Sequence, residues 1–94
     1  MYTLRIEHSV FDFESWKQAF DSDPVGREKS GVRRYQISRA VDDPLYVLID
    51  LEFDTVQQAQ ALLAAMRGVW GRVQGQIMLD PKSRIVEITE TNTY

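Results

Sequence analysis

The fold is decided by the stretch Leu45-Tyr46-Val47-Leu48-Ile49-Asp50-Leu51-Glu52-Phe53. Every second side chain in it is a large apolar one, and this two-residue period is typical of a strand with one buried face. A capping box, Thr55-Val56-Gln57-Gln58, follows and predicts the start of a helix. Residues 32–40 also alternate, and the intervening Asp42-Asp43-Pro44 suits a tight turn. Residues 32–53 are therefore predicted to form a β-hairpin.

The residues before this hairpin predict one strand and one helix. Apolar and polar side chains alternate over residues 2–8, as expected of a strand. Asp12 can cap a helix that follows it. In that helix Phe13, Trp16 and Phe20 share one face, which is expected to point inward. A turn sequence, Asp-Pro-Val-Gly, then ends the helix.

The residues after the hairpin predict a second helix and a last strand. An apolar stripe begins at the capping box, and Gly68 is expected to cap the end of that helix. Residues 69–81 are predicted to form a short helical turn and a loop, with Pro81 at the end of the loop. The last strand is expected over residues 84–90.

This order, β-α-β-β-α-β, predicts a single ferredoxin-like α+β domain over residues 1–94. The expected sheet has four antiparallel strands in the order 4-1-3-2, with both helices on one face. The side chains expected to face the helices are Leu4, Ile6, His8, Tyr35, Ile37, Val47, Ile49, Leu51, Val86 and Ile88. Those expected on the open face are Arg5, Glu7, Arg34, Gln36, Tyr46, Leu48, Asp50, Glu52, Ile85 and Glu87.

The composition argues against several classes of protein. The 94 residues include no cysteine and one histidine, so neither a disulfide nor a metal site is expected. The net charge of −3 does not favour nucleic acid as a partner. Without a signal-peptide pattern, or the roughly 18 apolar residues that span a bilayer, we expect a cytoplasmic protein with no membrane contact.

The expected open face of the sheet has the composition of a self-complementary surface. Tyr46, Leu48 and Ile85 are apolar or aromatic, while Arg5 and Arg34 have acidic neighbours. A patch of this kind suits a two-fold contact between two copies, so we expect a homodimer through the open sheet face. The alternative is a solvated face that carries a few apolar side chains.

His8 is the most interesting single residue, because its side chain has an unperturbed pKa near neutrality and falls on the apolar face of the first strand. Arg39 is expected beside it and Trp16 and Trp70 above it. It could act as a base on an acidic phenol or enol. The alternative is a structural histidine bonded to the backbone or to a carboxylate such as Asp12.

Other side chains could complete a site around the histidine. Trp16, Phe20, Tyr35, Met66 and Trp70 could line a pocket for a flat ligand, or could simply be core. A set of basic residues is better explained as separate surface charges than as an anion site; these are Arg27, Lys29, Arg33 and Arg39.

The chain resembles the dimeric α+β barrel superfamily, and within it the antibiotic-biosynthesis-monooxygenase-like proteins. The resemblance lies in the strand at 4–8, the helix sequence at 12–21, the hairpin from Gly31 to Val47, and the run at 51–55. It implies a dimer with a ligand cleft between sheet and helices. Members include cofactor-independent oxygenases, haem-degrading enzymes, small isomerases and polyketide cyclases. The mid-helix histidine of the haem-degrading branch is absent, so no cofactor is expected.

Two functions remain open. The first is a cofactor-independent monooxygenase or cyclase-like enzyme that acts on a small aromatic or polyketide-like metabolite. In it His8 would be catalytic, and the substrate would be bound by Trp16, Tyr35, Arg39, Met66 and Trp70. The second is a non-enzymatic dimeric module, either ligand-binding or structural, with a filled cleft. A cavity over His8 is the feature that discriminates them.

Overall fold

The computed structural model describes residues 1–73 and 78–94. Its elements follow the predicted order: β1 Tyr2–Val10, α1 Phe13–Asp21, β2 Arg34–Ala40, β3 Asp43–Phe53, α2 Val56–Val73 and β4 Met78–Glu87. The four strands form one antiparallel sheet in the order β2-β3-β1-β4. The ferredoxin-like fold and the hairpin are therefore confirmed. Within the described ranges, neither helix is long and apolar enough to cross a membrane.

The core lies between the two central strands and the helices. Directly opposed residues in a sheet share a face, and the buried pairs of β1 and β3 are Leu4 with Leu51, Ile6 with Ile49, and His8 with Val47. Both helices pack on this same face, with Trp16 and Phe20 from α1 and Ala59, Leu62, Leu63 and Trp70 from α2 in one cluster. The central strands thus place a histidine within an otherwise apolar layer.

The start of α1 is held by the predicted cap. The Asp12 carboxylate accepts hydrogen bonds from the Ser15 backbone N–H at 2.9 Å and from the Ser15 hydroxyl at 2.8 Å. These bonds favour the ionised carboxylate and lower the pKa of Asp12. The cap fixes where the helix begins, and with it the direction in which Trp16 points.

The predicted faces of the last strand are wrong. Ile85 lies opposite Leu4, while Val86 lies opposite Thr3. Ile85 therefore packs against the core and Val86 is on the open face, the reverse of the expectation. Both positions are apolar, so alternation alone did not distinguish which one faces the core.

The start of the last strand also differs from the prediction, because Pro81 lies inside β4 rather than at the end of a loop. The register shifts between Glu7 and Ser9, which pair with Lys82 and Leu79, so Asp80 and Pro81 together oppose His8. This is a bulge on an edge strand, where the missing N–H of proline is tolerated. Asp80 has a φ of +50° there.

The prediction that the second helix ends at Gly68 is wrong. The helix continues through Gly71 to Val73. Each glycine costs a helix about 1 kcal/mol relative to alanine. Trp70, buried between them, anchors the last turns to the core and overrides that cost. Residues 74–77, part of the predicted loop, lie outside the described residues.

Gly31 precedes β2 with a φ of +100°, a conformation that residues with a side chain rarely adopt. A Cβ there would lie 2.6 Å from the Gln58 side-chain nitrogen. Gly31→Ala is therefore expected to lower the free energy of unfolding by about 1–3 kcal/mol. Urea denaturation checks this expectation.

The control for this variant is Gly68→Ala. Gly68 lies on the exposed side of α2, and an added Cβ would meet nothing within 4 Å. This substitution is expected to raise stability by about 0.4–1 kcal/mol. A Gly31→Ala protein as stable as the wild type would show that the loop before β2 does not require glycine.

Candidate functional site

A cleft of about 290 Å³ lies between the sheet, the two helices and the loop that follows α1. His8 and Ile6 form part of its floor, and side chains of both helices form its walls. The walls that matter for the chemistry are Trp16, Phe20, Met66 and Trp70. The two tryptophans therefore leave space over the histidine rather than filling it.

His8 is only 2 % exposed. Its Nδ1 lies 3.1 Å from the Ser9 carbonyl oxygen. Because a carbonyl can only accept, Nδ1 carries the proton and Nε2 holds a lone pair. Burial lowers the pKa of His8 and outweighs the opposing effect of the Ser9 hydrogen bond. The imidazole is therefore neutral at pH 7, with Nε2 as the nitrogen that is able to accept a proton.

The Asp12 carboxylate is not the group that holds the histidine, since it is bonded to Ser15 instead. The backbone of His8 lies opposite the bulge in β4, where no single residue of that strand is paired with it. A bulge next to a site is a common way to aim a side chain. Here it lies beside the one titratable group on the cleft floor.

One wall of the cleft is a stack of aromatic rings on α1. Trp16 meets the His8 ring edge-on, with 5.7 Å between centroids, and stacks on Phe20 at 5.3 Å. Phe13 contacts the outer side of Trp16 at 5.8 Å. Spacings of three and four residues bring these rings onto one helical face. The result is a rigid apolar surface suited to a planar ligand.

The structure brings together four of the predicted site residues and leaves two outside. His8, Trp16, Met66 and Trp70 line the cleft, but Tyr35 and Arg39 do not. Both lie on the edge strand β2. Tyr35 packs edge-on against Phe20 at 5.3 Å, and the Arg39 guanidinium lies 4.5 Å from the centre of the Phe13 ring.

Arg27 lines the cleft, although the sequence analysis favoured a separate surface charge at this position. Its guanidinium lies 3.8 Å from the centre of the Phe20 ring, and its Nη1 donates to the Phe20 carbonyl at 2.7 Å. Its side chain is 13 % exposed, so it is not the separate surface charge that was expected. The available signal was the four-residue spacing from Asp23, whose carboxylate accepts from the Arg27 backbone N–H at 2.9 Å.

The open face of the sheet carries a shallow hollow of about 490 Å³. Arg5 forms a two-pronged pair with Asp50 at 2.8 and 3.0 Å, and Arg34 pairs with Glu52. The Tyr46 hydroxyl donates to Glu7 at 2.7 Å, and this bond raises the pKa of Tyr46. The two ion pairs cross the strands and their arginine side chains are more than half exposed, so each pair contributes at most about 1 kcal/mol to stability.

No family model and no curated protein matches the chain. Several solved structures match over nearly its whole length. One is a protein from Deinococcus radiodurans, provisionally described as an antibiotic biosynthesis monooxygenase, at 16% identity over 100% of this chain and 98% of that chain, TM-score 0.70. Another is SnoaB, a cofactor-independent oxygenase from Streptomyces nogalater, at 11% identity over 96% and 94% of the two chains, TM-score 0.76.

A third match is a dimeric ferredoxin-like protein from an uncultured marine organism. It is 10% identical over 97% of each chain, with a TM-score of 0.67. Sequence identities this low establish a shared fold, and a fold of this kind hosts many chemistries. The chain therefore has the ferredoxin-like α+β fold of the antibiotic-biosynthesis-monooxygenase-like proteins, as its sequence resemblance indicated.

Proposed function

We propose that this cleft binds a small aromatic metabolite and that His8 removes a proton from it, in an enzyme of the cofactor-independent monooxygenase or cyclase class. The observation that carries the proposal is a neutral, buried histidine at the floor of an open aromatic cleft. Proton removal from a phenol or enol is a step that both reaction classes can use. SnoaB, a cofactor-independent oxygenase, is built on the same fold and supports the choice of class.

The proposed step is a single proton transfer. The substrate O–H bond breaks, an Nε2–H bond forms, and the oxygen keeps the electron pair as a phenolate or enolate. Burial disfavours the imidazolium that results, so His8 is a weak base. The matching substrate is therefore one with an acidic hydroxyl, such as a hydroxyquinone or a β-dicarbonyl enol. The anion formed beside the imidazolium offsets part of the cost of burying that charge.

The competing hypothesis was a non-enzymatic module with a filled cleft. The cleft of about 290 Å³ argues against the filled form. A ligand-binding protein without turnover is the version that remains, and it differs from the enzyme in one measurable respect: bound ligand is released unchanged.

A thermal-shift screen of flat phenols and hydroxyquinones tests the proposed ligand. A compound at 100 times its Kd stabilises the native state by about 2.7 kcal/mol. Each kcal/mol raises Tm by roughly 4–8 °C in a domain of this size. At least one compound of one or two rings is expected to raise Tm by about 10–20 °C at 100 times its Kd.

The matched controls for the screen are two alanine-to-phenylalanine variants. Ala19 lines the cleft, whereas Ala61 is exposed on α2 and does not. Ala19→Phe should fill the cleft and remove the shift, and Ala61→Phe should keep it. No shift with any compound, or an equal shift in both variants, would contradict binding in the cleft.

We also infer that two copies associate through the open face of the sheet. The marine relative is described as dimeric, and this face has the required composition. Tyr46, Leu48 and Val86 give it partly exposed apolar surface, and the crossed Arg–carboxylate pairs give it both signs of charge. Val86 takes the place that the sequence had assigned to Ile85.

Reversing one charge on this face tests the dimer. Asp50→Arg removes the partner of Arg5 and puts like charges side by side on the proposed contact. Sedimentation velocity at micromolar concentration should show twice the 10.9 kDa chain mass for the wild type and a single chain for the variant.

Asp54→Arg is the control, because Asp54 is also paired with an arginine, Arg33 at 2.9 Å, but lies just beyond the end of β3. It should leave the dimer intact. A monomeric wild type, or a dimeric Asp50→Arg protein, would rule out this interface.

A further inference from the structure

We infer that the occupant of the cleft is an anion, namely a planar aromatic carboxylate with a single ring or two fused rings, held by Arg27 and Arg72. This inference rests on the proposed function, because it specifies the ligand of the same cleft. It goes further by assigning a charge and a size to that ligand, and by naming two residues that select it.

The first observation is the sign of the charges around the cleft. Arg27 and Arg72 both line it, and no carboxylate does so in the part of the chain that the structure describes. The whole chain has 14 acidic and 11 basic residues. The charged side chains that line the described part of the cleft are therefore both cationic, in a protein whose net charge is negative. Low-dielectric walls strengthen the attraction of such a site for an anion.

The second observation is that Arg27 is held in place before any ligand binds. Its guanidinium lies over the Phe20 ring, 3.8 Å from the ring centre, and 5.1 Å from the centre of the Tyr35 ring. Nη1 donates to the Phe20 carbonyl and also lies near the Asp23 carboxylate, and a guanidinium has three further N–H donors, on Nε and Nη2. A fixed planar guanidinium suits a carboxylate, since little side-chain entropy is lost on binding.

Asp23 reduces the charge of Arg27 only in part. Its carboxylate is 3.4 Å from Nη1, and more than a third of that side chain is exposed to solvent. The same carboxylate also accepts from the Arg27 backbone. Asp23 thus shapes the loop as much as it pairs the guanidinium.

The third observation concerns Arg72, in the last turn of α2. No carboxylate pairs with it in the described ranges, and the sequence of residues 73–77, Val-Gln-Gly-Gln-Ile, contains no acid. A cation at a helix C-terminus is favourable on its own. The helix dipole alone would be satisfied wherever the Arg72 side chain pointed. In the structure this side chain lines the cleft.

The cleft volume limits the ligand. Small-molecule pockets run from about 300 to 1,000 Å³, and this one is about 290 Å³. One or two fused rings match that space, and a four-ring polyketide does not. The stack of Trp16 on Phe20 offers the flat wall that such rings need.

Two ligands of the same shape test the inference. Isothermal titration calorimetry with 2-naphthoate and with 2-naphthamide, at low salt, compares a carboxylate with its neutral analogue. The wild type is expected to bind the naphthoate at least tenfold more tightly. Arg72→Gln should remove most of that preference and leave the affinity for 2-naphthamide unchanged. Arg27→Gln should have the same effect. Arg67→Gln, an exposed cation on the same helix that does not line the cleft, should have no effect.

The outcomes separate this inference from the proposed function. Equal binding of both ligands by the wild type, or an unchanged preference in the Arg72 variant, would overturn the charge selection and leave the cleft as a ligand site. If neither naphthalene compound binds and no flat phenol binds either, the proposed function is overturned and this inference with it. Should the Arg27 variant fail to fold, the Arg72 variant and the loss of preference at high salt still decide the matter.

Discussion

Trp16→Ala is expected to lower the free energy of unfolding by about 3–5 kcal/mol, the usual cost of removing a buried aromatic ring. Trp16 is 4 % exposed and contacts the rings of Phe13, Phe20 and His8. Its removal would therefore take away packing contacts with all three rings. Small domains are stable by about 5–15 kcal/mol. The variant is therefore expected to be near the limit of folding, which urea denaturation measures.

Phe11→Ala is the control for that variant. Phe11 is 54 % exposed and is not part of the core cluster. Its loss should change stability by no more than about 0.5 kcal/mol. A Trp16→Ala protein that is destabilised by less than 1 kcal/mol would show that α1 is not packed on the sheet as described.

His8→Gln is expected to reduce turnover of a cleft substrate by about 10²–10⁴-fold, the usual contribution of a general base. Glutamine keeps a polar side chain that is able to form hydrogen bonds, but it does not take up a proton at neutral pH. Ligand affinity should change little, so the loss should appear in kcat rather than in KM. Steady-state kinetics on a compound found by the thermal-shift screen measures both.

The pH profile gives a second readout for His8. Its folded pKa is lowered from 6.5, so the neutral base persists as the pH falls below 6.5. The wild-type rate should stay level down to that pH and decline only in more acid solution. Between pH 6.5 and the lower pKa of His8 in the folded protein, the unfolded chain binds more protons than the folded one. The free energy of unfolding therefore also falls as the pH drops through this range. An unchanged kcat in the variant would leave His8 a structural residue.

The fold was predictable where the pattern was local and one-sided. The strand β3 alternates strictly because it is central and one face of it is buried, and Asp12 and Thr55 act through their own neighbours in sequence. Such features depend little on the rest of the chain. They were sufficient to establish the order of elements and hence the ferredoxin-like topology.

The errors arose where tertiary packing decided the outcome. Gly68 has the chemistry of a helix cap, but the contacts of Trp70 carry the helix past it. Ile85 and Val86 are equally apolar neighbours, and only the register with β1 shows which one faces inward. A local pattern contains neither kind of information.

The site was predicted in part for the same reasons. His8 and Trp16 were placed correctly because one strand and one helical face determine where they point. Tyr35 was assigned the correct face of the sheet, but it lies on the edge strand β2 and does not line the cleft. Arg27 belongs to a loop whose path depends on Asp23, so its place at the cleft could not be derived from periodicity.

The central claim is that His8 is a neutral base facing a ligand cleft, and the single histidine of the chain allows a direct test. Two-dimensional ¹H–¹⁵N NMR of the imidazole at pH 7, with and without a naphthol or naphthoate ligand, reports its tautomer and its contact. We predict a neutral ring protonated at Nδ1, with an Nε2 resonance that shifts as the ligand is added. A charged imidazolium, or an Nε2 resonance unmoved by a ligand that binds, would contradict it.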